Sequence, residues 1–388
     1  MTQRGPNAVF MLAAFCAALI LIVPAAAGEP LSGSQEAASQ GPAAKPQKAE
    51  TNPAPYFLPS IPPQMTLAGE KVPLNLPFVA EQLDREFTIA VHDRAQVVMW
   101  LKRARRYFPY ISQELKKAGM PDDLKYLAVA ESSLLHRVRS VAGASGLWQF
   151  IPETGKRYTL RVDQWFDDRR NPLKATGAAL AYLRDLHEEF GSWALAMAAY
   201  NCGERRVREE IAEQGIKDYY HLYLPRETMR YVFRIMAAKI ILADPAKYGY
   251  VLPAEELYAP VESDSLDLRL GRELHLRLLA QACNTTVREL MEMNPELRSY
   301  WLPRGSVSLL VPKGEGAKAK ERLASLEKTA KPQGVSSRPP RDRQTVVVKP
   351  GDTLGAIAKR YKVKVKDLVR ANKISGTMIR PGQRLAIP

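Results

Sequence analysis

The sequence predicts a mainly α protein, an all-α domain followed by small α+β units. Three observations carry this. From about Val79 to Tyr250 apolar residues recur at helical spacing between signals that start and stop helices, and few strand-like alternations interrupt them. The segment Leu278 to Asn294 returns as Ala356 to Asn372 at a constant offset of 78, matching Ala280 with Ala358, Val287 with Val365, Leu290 with Leu368 and Asn294 with Asn372. A glycine follows each copy, Gly305 or Gly382, and then an apolar strand ending in Val311-Pro312 or Ile387-Pro388.

Taken in order, the chain opens with Arg4, an uncharged apolar run from Ala8 to Val23, and the small residues Ala25 to Ala27. This is the pattern of a secretory signal over 1–27. An uncleaved signal would leave a membrane anchor, although the run is short for a bilayer core that takes ~20 residues. Residues 28–75, rich in Pro, Ala, Ser and Gln, read as a disordered spacer. The helical domain spans 76–255. Within it a helix through Val97 to Ala118 should end at Gly119, and Pro121 with Asp122 and Asp123 should open the next. A further helix follows Asn171-Pro172 and stops at Gly191, Ser192 caps a short one, and Pro225 opens a long one ending near Asp244-Pro245. The first repeat unit occupies 266–312, a basic flexible linker 313–343, and the second unit 344–388, with Thr345 to Val348 as its leading strand.

With 388 residues, 46% apolar and 25% charged, the chain is neither wholly disordered nor wholly membrane-embedded. Of its +15 net charge, +13 falls between 313 and 388, where 19 Lys/Arg stand against 6 Asp/Glu. A cationic tail suits an anionic partner such as nucleic acid, anionic lipid or an acidic wall polymer, and the secretory signal disfavours nucleic acid. Beyond the signal only Cys202 and Cys283 remain, in different domains, so no disulfide is expected. No Cys/His cluster has metal-ligand spacing, so no metal is expected either.

The chemistry concentrates near Glu131. In the helix opened by Pro121, Leu124, Leu127, Ala128 and Glu131 fall at i, i+3, i+4 and i+7, which sets a carboxylate on a face that should be buried. Desolvation raises a carboxyl pKa, and a glutamic acid protonated near neutrality can give its proton to a glycosidic oxygen. A glutamate satisfied by a buried arginine or by backbone amides would fit the same pattern. Asp163, Asp167 and Asp168 are the nearest candidates for a second carboxylate, yet beside Asn171-Pro172 they read more simply as loop or cap acids.

Glu131-Ser132, then Ser140, Gly143-Ala144-Ser145-Gly146-Leu147-Trp148-Gln149-Phe150-Ile151-Pro152 with Thr154, and later Ala199-Tyr200-Asn201-Cys202-Gly203, match three signature motifs in order and spacing. They resemble the soluble-lytic-transglycosylase-like domain over about residues 85 to 250, and within it the membrane-bound lytic transglycosylase D type. Val348-Lys349-Pro350-Gly351-Asp352-Thr353-Leu354 and Arg380-Pro381-Gly382-Gln383 resemble a LysM, a small βααβ module that binds N-acetylglucosamine polymers. By the repeat, 266–312 is similar to a degenerate LysM without the Pro-Gly-Asp-Thr-Leu segment.

The resemblance implies a lysozyme-like all-α catalytic domain with no cofactor and no metal. It implies Glu131 as the catalytic acid, with Ser140 near the N-acetyl group, Gln149 on the sugar, Tyr200 with its hydroxyl near Glu131, and Asn201 holding the loop. For the LysM it implies glycan contacts at Gly351, Asp352 and Thr353, and at Lys373, Ile374, Ser375 and Met378. Trp148 and Phe150 could stack on sugars or fill the core. The implied partner is the peptidoglycan glycan strand of N-acetylglucosamine and N-acetylmuramic acid, met in the periplasm or cell envelope after secretion across the inner membrane. The implied reaction cleaves the bond from muramic acid to N-acetylglucosamine without water and leaves 1,6-anhydro ends. A hydrolytic lysozyme or a non-catalytic wall-binding scaffold are the rival readings.

Overall fold

The computed structural model describes residues 59–329, 345–361, 363–372, 374, 376 and 378–387. The signal segment 1–27 and residues 28–58 of the expected spacer lie outside them. The remainder of that spacer is structured, contrary to expectation. The strands β1 (Thr66–Leu67) and β2 (Glu70–Lys71) pair as a hairpin. Its Leu67 and its follower Val72 are buried in the helical core. Three apolar side chains within eight residues (Met65, Leu67 and Val72) are enough to dock a short hairpin, and the high Pro/Ala content upstream masked them.

The structure is mainly helical. Eight α-helices follow the hairpin: α1 (Pro77–His92), α2 (Arg94–Lys117), α3 (Lys125–Ser132), α4 (Pro152–Arg157), α5 (Pro172–Phe190), α6 (Trp193–Cys202), α7 (Glu204–Gln214) and α8 (Arg226–Ala243). The expected starts and stops recur in the geometry. Gly119 follows α2 with a positive φ, Asn171 caps α5 by accepting from Leu173 and Lys174 N–H groups, and Gly191 ends α5 in the left-handed region. The helix α8 buries Val232, Ile235, Met236 and Ile241 around most of its circumference, and α1, α3 and α6 lie against it. Charge enters this packing where the buried Glu86 of α1 accepts from Arg230 at 2.7 Å and Arg234 at 3.4 Å on α8.

Both repeat units fold as βααβ. The first consists of β3 (Ser263–Leu270), the short β4 (Leu274–His275), α9 (Leu276–Ala282), α10 (Val287–Met293), the short β5 (Trp301–Leu302) and β6 (Gly305–Pro312). The strands β3 and β6 pair antiparallel along their whole length, from Ser263 opposite Pro312 to Leu270 opposite Gly305. After it comes α11 (Gly316–Thr329), then the second unit: β7 (Thr345–Val347), α12 (Leu354–Arg360), α13 (Val365–Asn372) and β8 (Arg384–Ala386). A shared asparagine shows that the repeat is structural. Asn294 Nδ2 donates to Leu290 O and Leu310 O, and its Oδ1 accepts from Leu310 N, all at 2.7 Å. Asn372 makes the same three bonds, to Leu368 O, Ala386 O and from Ala386 N, at 2.8, 2.7 and 2.6 Å. In each unit this side chain ties the second helix to the last strand.

The linker expected over 313–343 is shorter than the composition suggested. Its first part is α11, whose Ala319 and Leu323 are buried in the core of the first unit. Lys318, Lys320 and Glu321 give that helix a charged exterior, which reads like a tether in the sequence. Residues 330–344 lie outside the described residues.

The first unit is docked on the helical domain through the loop before α5. Phe166 is buried in the core of the unit, with Trp165 against it. Asp167 N–H donates to Glu296 O at 2.8 Å, Arg298 N–H to Trp165 O at 3.0 Å, and Asn171 Nδ2 to Glu296 Oε1 at 2.9 Å. The core of the second unit is made wholly of residues between Val346 and Ile387.

Candidate active site

Glu131 stands one residue before the end of α3, the helix whose Leu124, Leu127 and Ala128 side of the turn is fully buried. The chain then reverses sharply: Ser133 and Leu134 both take positive φ, at 52° and 60°. Such backbone costs of order 1 to 3 kcal/mol per residue and persists where the surroundings over-determine it. Here Leu134 is buried, Ser133 O accepts from Arg103 Nη1 at 3.0 Å, and Ser132 Oγ donates to Leu147 O at 2.7 Å. The serine after Glu131 therefore binds the end of α3 to the next motif.

The Glu131 side chain is half-buried, with protein crowded around its carboxyl group. The Tyr231 hydroxyl on α8 donates to Oε1 at 2.5 Å. Burial pushes the carboxyl pKa up from 4.5 to about 7; the Tyr231 hydrogen bond opposes that rise, and the charge of Glu227 adds to it. Glu227 is itself held by Arg234, whose Nη1 donates at 2.5 Å and Nη2 at 3.3 Å. A carboxyl poised in this way can give a proton at neutral pH and take one back.

The tyrosine that hydrogen-bonds Glu131 is Tyr231, a residue not singled out from the sequence. Tyr200 lies close enough to feel the Glu131 charge, but its hydroxyl donates to Trp148 O at 2.8 Å. Its ring stands in an aromatic series with Tyr182 and Tyr158, successive centroids 5.1 Å apart. One trace of Tyr231 existed in the sequence. Glu227, Arg230, Tyr231 and Arg234 form a polar stripe at i, i+3, i+4 and i+7 on a mostly apolar helix.

The second motif forms a tight loop whose polar side chains are turned to its own backbone. Ser140 Oγ accepts from Ala144 N at 3.0 Å, and Gln149, at φ 48°, donates from Nε2 to Gly146 O at 2.7 Å and to Val138 O at 3.3 Å. Gly146 is needed for space as well as for its φ of 87°, because a Cβ there would meet Arg169 O at 1.7 Å. Trp148 and Phe150 are core residues: both are buried, and Trp148 Nε1 donates to Thr176 Oγ1 at 3.0 Å. Asn201, at the end of α6, accepts on Oδ1 from Thr228 Oγ1 at 2.8 Å and so joins α6 to α8.

Arg169 clamps this loop and was not singled out from the sequence. It is buried, bonds Asp167 through two parallel bonds of 2.8 Å, and donates from Nη1 to Gly143 O at 2.8 Å and Phe150 O at 2.9 Å. Asp168 accepts from Lys174 Nζ at 2.9 Å, and Asp163 accepts on Oδ1 from the N–H groups of Trp165 and Phe166. All three aspartates are thus occupied as ion-pair and loop acids. Among the described residues no group of three or more His, Cys, Asp or Glu could hold a metal ion, and no helix is long and apolar enough to cross a membrane.

In the second repeat unit Gly351 takes φ 86°, Asp352 accepts from Lys349 N–H and from Arg360, and Thr353 Oγ1 caps α12 through Ala356 N. Ile374 packs against the core of the unit, and Met378 is 79% exposed. Lys373 and Ser375 lie outside the described residues.

Comparison with known proteins gives two family matches, the Transglycosylase SLT domain over residues 108–223 and the LysM domain over 346–388. Membrane-bound lytic murein transglycosylase D of Escherichia coli (strain K12) is 34% identical over 293 residues, 74% of this chain and 64% of that protein. The chain thus spans somewhat less than two thirds of that relative's length. Among solved structures, an inactive mutant of the lytic transglycosylase Slt from Pseudomonas aeruginosa is 24% identical with a TM-score of 0.28, over 39% of this chain and 26% of that one. The 70 kDa soluble lytic transglycosylase SLT70 from Escherichia coli is 20% identical with a TM-score of 0.30, over 46% and 33%. Glu131, the loop 138–150 and Tyr200 all fall inside the region that matches the Transglycosylase SLT domain, and the second repeat unit coincides with the region that matches the LysM domain.

Proposed function

We propose that the protein is a peptidoglycan lytic transglycosylase acting in the cell envelope, with Glu131 as its catalytic acid and base. The observation that carries this is the carboxyl of the half-buried Glu131, held by a tyrosine hydroxyl and raised by burial to a pKa of about 7. At that pKa both the proton donor and the proton acceptor are well populated at neutral pH.

The reaction needs one carboxyl because the substrate supplies the nucleophile. Glu131 gives its proton to the oxygen between N-acetylmuramic acid and N-acetylglucosamine as the bond from that oxygen to C1 breaks. The N-acetyl carbonyl oxygen of the muramic sugar bonds to C1 meanwhile. The Glu131 carboxylate then takes the proton of the C6 hydroxyl, and O6 displaces the N-acetyl oxygen at C1, closing the 1,6-anhydro ring. The proton returns to Glu131 and no water is consumed. In this scheme Tyr231 holds the carboxyl in place, while Ser132, Gln149 and Arg169 fix the loop beside it. Ser140, Tyr200 and Asn201 build the walls from which backbone groups meet the sugar. The LysM at 346–388 holds the enzyme on the glycan strand.

One observation favours a second reading. Glu227 lies near enough to raise the Glu131 pKa, and a hydrolytic muramidase would use such a carboxylate to activate water. The Arg234 pair on Glu227 weighs against it. Digestion of purified sacculi in ¹⁸O-labelled water separates the two: anhydro ends free of label are expected, and reducing ends carrying label would establish the hydrolase.

A further inference from the structure

A cleft of about 340 Å³ opens where the first βααβ unit meets the catalytic loop, lined by Arg137, Arg170, Met291, Pro295, Leu297 and Arg298. Its walls come from both sides of the docking interface. Arg137 donates from Nη2 to Met291 O at 2.5 Å and lies 3.5 Å from Glu292. Arg298 donates from Nη1 to Asp163 O at 2.6 Å. Arg170 reaches Ser145 Oγ at 3.4 Å and stands 3.7 Å from Asp167, whose two oxygens are already bonded to Arg169. Burial above all lowers the Arg170 pKa; Asp167 opposes this, and repulsion from Arg298, Arg169 and Arg139 adds to it. The guanidinium groups crowd one another around a half-buried one, and an anion would relieve that crowding.

We propose that this arginine cleft binds a carboxylate of the peptide side chain carried by the glycan strand, so that the enzyme reads the peptide as well as the sugar. The inference rests on the proposed peptidoglycan substrate and adds a specificity site to it. Charge and position select the ligand. Guanidinium groups pair with carboxylates through paired, charge-assisted bonds, and the apolar Met291, Pro295 and Leu297 suit an aliphatic peptide better than a bare ion. The cleft also lies within reach of the reacting bond. Arg137 lies six positions after Glu131, so their Cα atoms are at most ~21 Å apart. A muramic sugar with an extended peptide of four or five residues at ~3.3 Å each covers that span. Val138, the next residue, accepts on its carbonyl from both Gly146 N–H and Gln149 Nε2, so the cleft backs directly on the catalytic loop.

The test compares the full chain with its Arg137→Gln/Arg298→Gln double variant on three soluble glycan fragments: peptide-bearing, peptide-bearing with its carboxylates amidated, and peptide-free. The proposal expects KM for the first to rise about 5- to 10-fold in the variant with kcat unchanged. Amidation should raise the wild-type KM by a similar factor and leave the variant unmoved, and both proteins should treat peptide-free chains alike. An equal KM change on peptide-free chains would make the arginines mere supports of the loop, and wild-type indifference to amidation would remove the carboxylate. If the wild type cleaved none of the fragments, the proposed activity would fail, and calorimetry with a disaccharide-tetrapeptide would still judge the cleft. Tighter binding by wild type than variant, abolished on amidation, upholds it; equal binding overturns it.

Discussion

Two glutamates among the described residues are driven the same way by burial, and they differ in access and in the backbone beside them. Glu131 at the end of α3 and Glu296 at the docking interface both have carboxyl pKa values raised chiefly by desolvation. Glu296 is 1% exposed, its Oε1 holds Asn171 Nδ2, and its backbone carbonyl holds Asp167 N–H. Glu131 keeps an open side, its one hydrogen bond comes from a tyrosine hydroxyl, and it sits beside two residues of left-handed backbone. A raised pKa therefore marks burial, and access together with local strain marks the residue that can use it.

The two βααβ units make a parallel contrast. They share strand pairing and the asparagine that ties helix to strand, yet the first takes Phe166 into its core and supports the loop 138–150 through the chain Glu296, Asp167, Arg169. The second has a core of its own residues. One copy has become part of the scaffold, and the other packs around residues of its own.

The largest expected effect falls on Glu131. Glu131→Gln should fold and lose roughly 100- to 10,000-fold in turnover on soluble glycan fragments, since the amide can neither donate nor reclaim the proton. Its stability should change in the opposite sense. The carboxyl pKa is near 4.5 unfolded and about 7 folded, so the wild type loses stability as pH rises from 4.5 to 7. Glu131→Gln should then exceed the wild type in urea unfolding at pH 8, by up to about 3 kcal/mol, and match it at pH 4. Phe166→Ala comes next, with a loss of about 3 to 5 kcal/mol by the same measurement, because it empties a site in the core of the first unit. A loss under 1 kcal/mol would mean that the unit is not docked as a brace.

Tyr231→Phe should lower turnover about tenfold and move the alkaline limb of activity upward, since the hydrogen bond it removes favours the ionised carboxylate. Glu296→Gln should leave turnover within about twofold. Its urea-unfolding stability should exceed the wild type's by a margin that grows as pH rises through the raised pKa of Glu296. The smallest effect on soluble turnover belongs to removal of residues 330–388: turnover should stay nearly unchanged while binding to sacculi weakens, and added salt should narrow that gap, given a Debye length of ~8 Å.

Much of this was legible in the sequence because it is local. Helix limits at Gly119, Asn171-Pro172, Gly191 and Pro225 follow from caps and breakers, and the repeat follows from an offset. Glu131 followed from helical spacing joined to three motifs. What escaped was written in long-range contacts. Tyr231 lies 100 residues from Glu131, and Glu296 lies 125 from Asn171. Arg169 reaches back to Gly143 from inside an ordinary charged run. The hairpin at 66–71 and the helix 316–329 were hidden for the same reason, since each owes its order to the core it covers and little to its own composition.

Catalysis by Glu131 depends on when that residue loses its proton, and the pH dependence of kcat/KM on soluble glycan fragments between pH 4 and 9 measures that directly. The wild type should lose activity tenfold per pH unit above about 7, and Glu296→Gln should leave that limb where it is. A limb in the ordinary carboxylate range near 4.5, or one that moved with Glu296, would contradict the assignment of Glu131 as the acid.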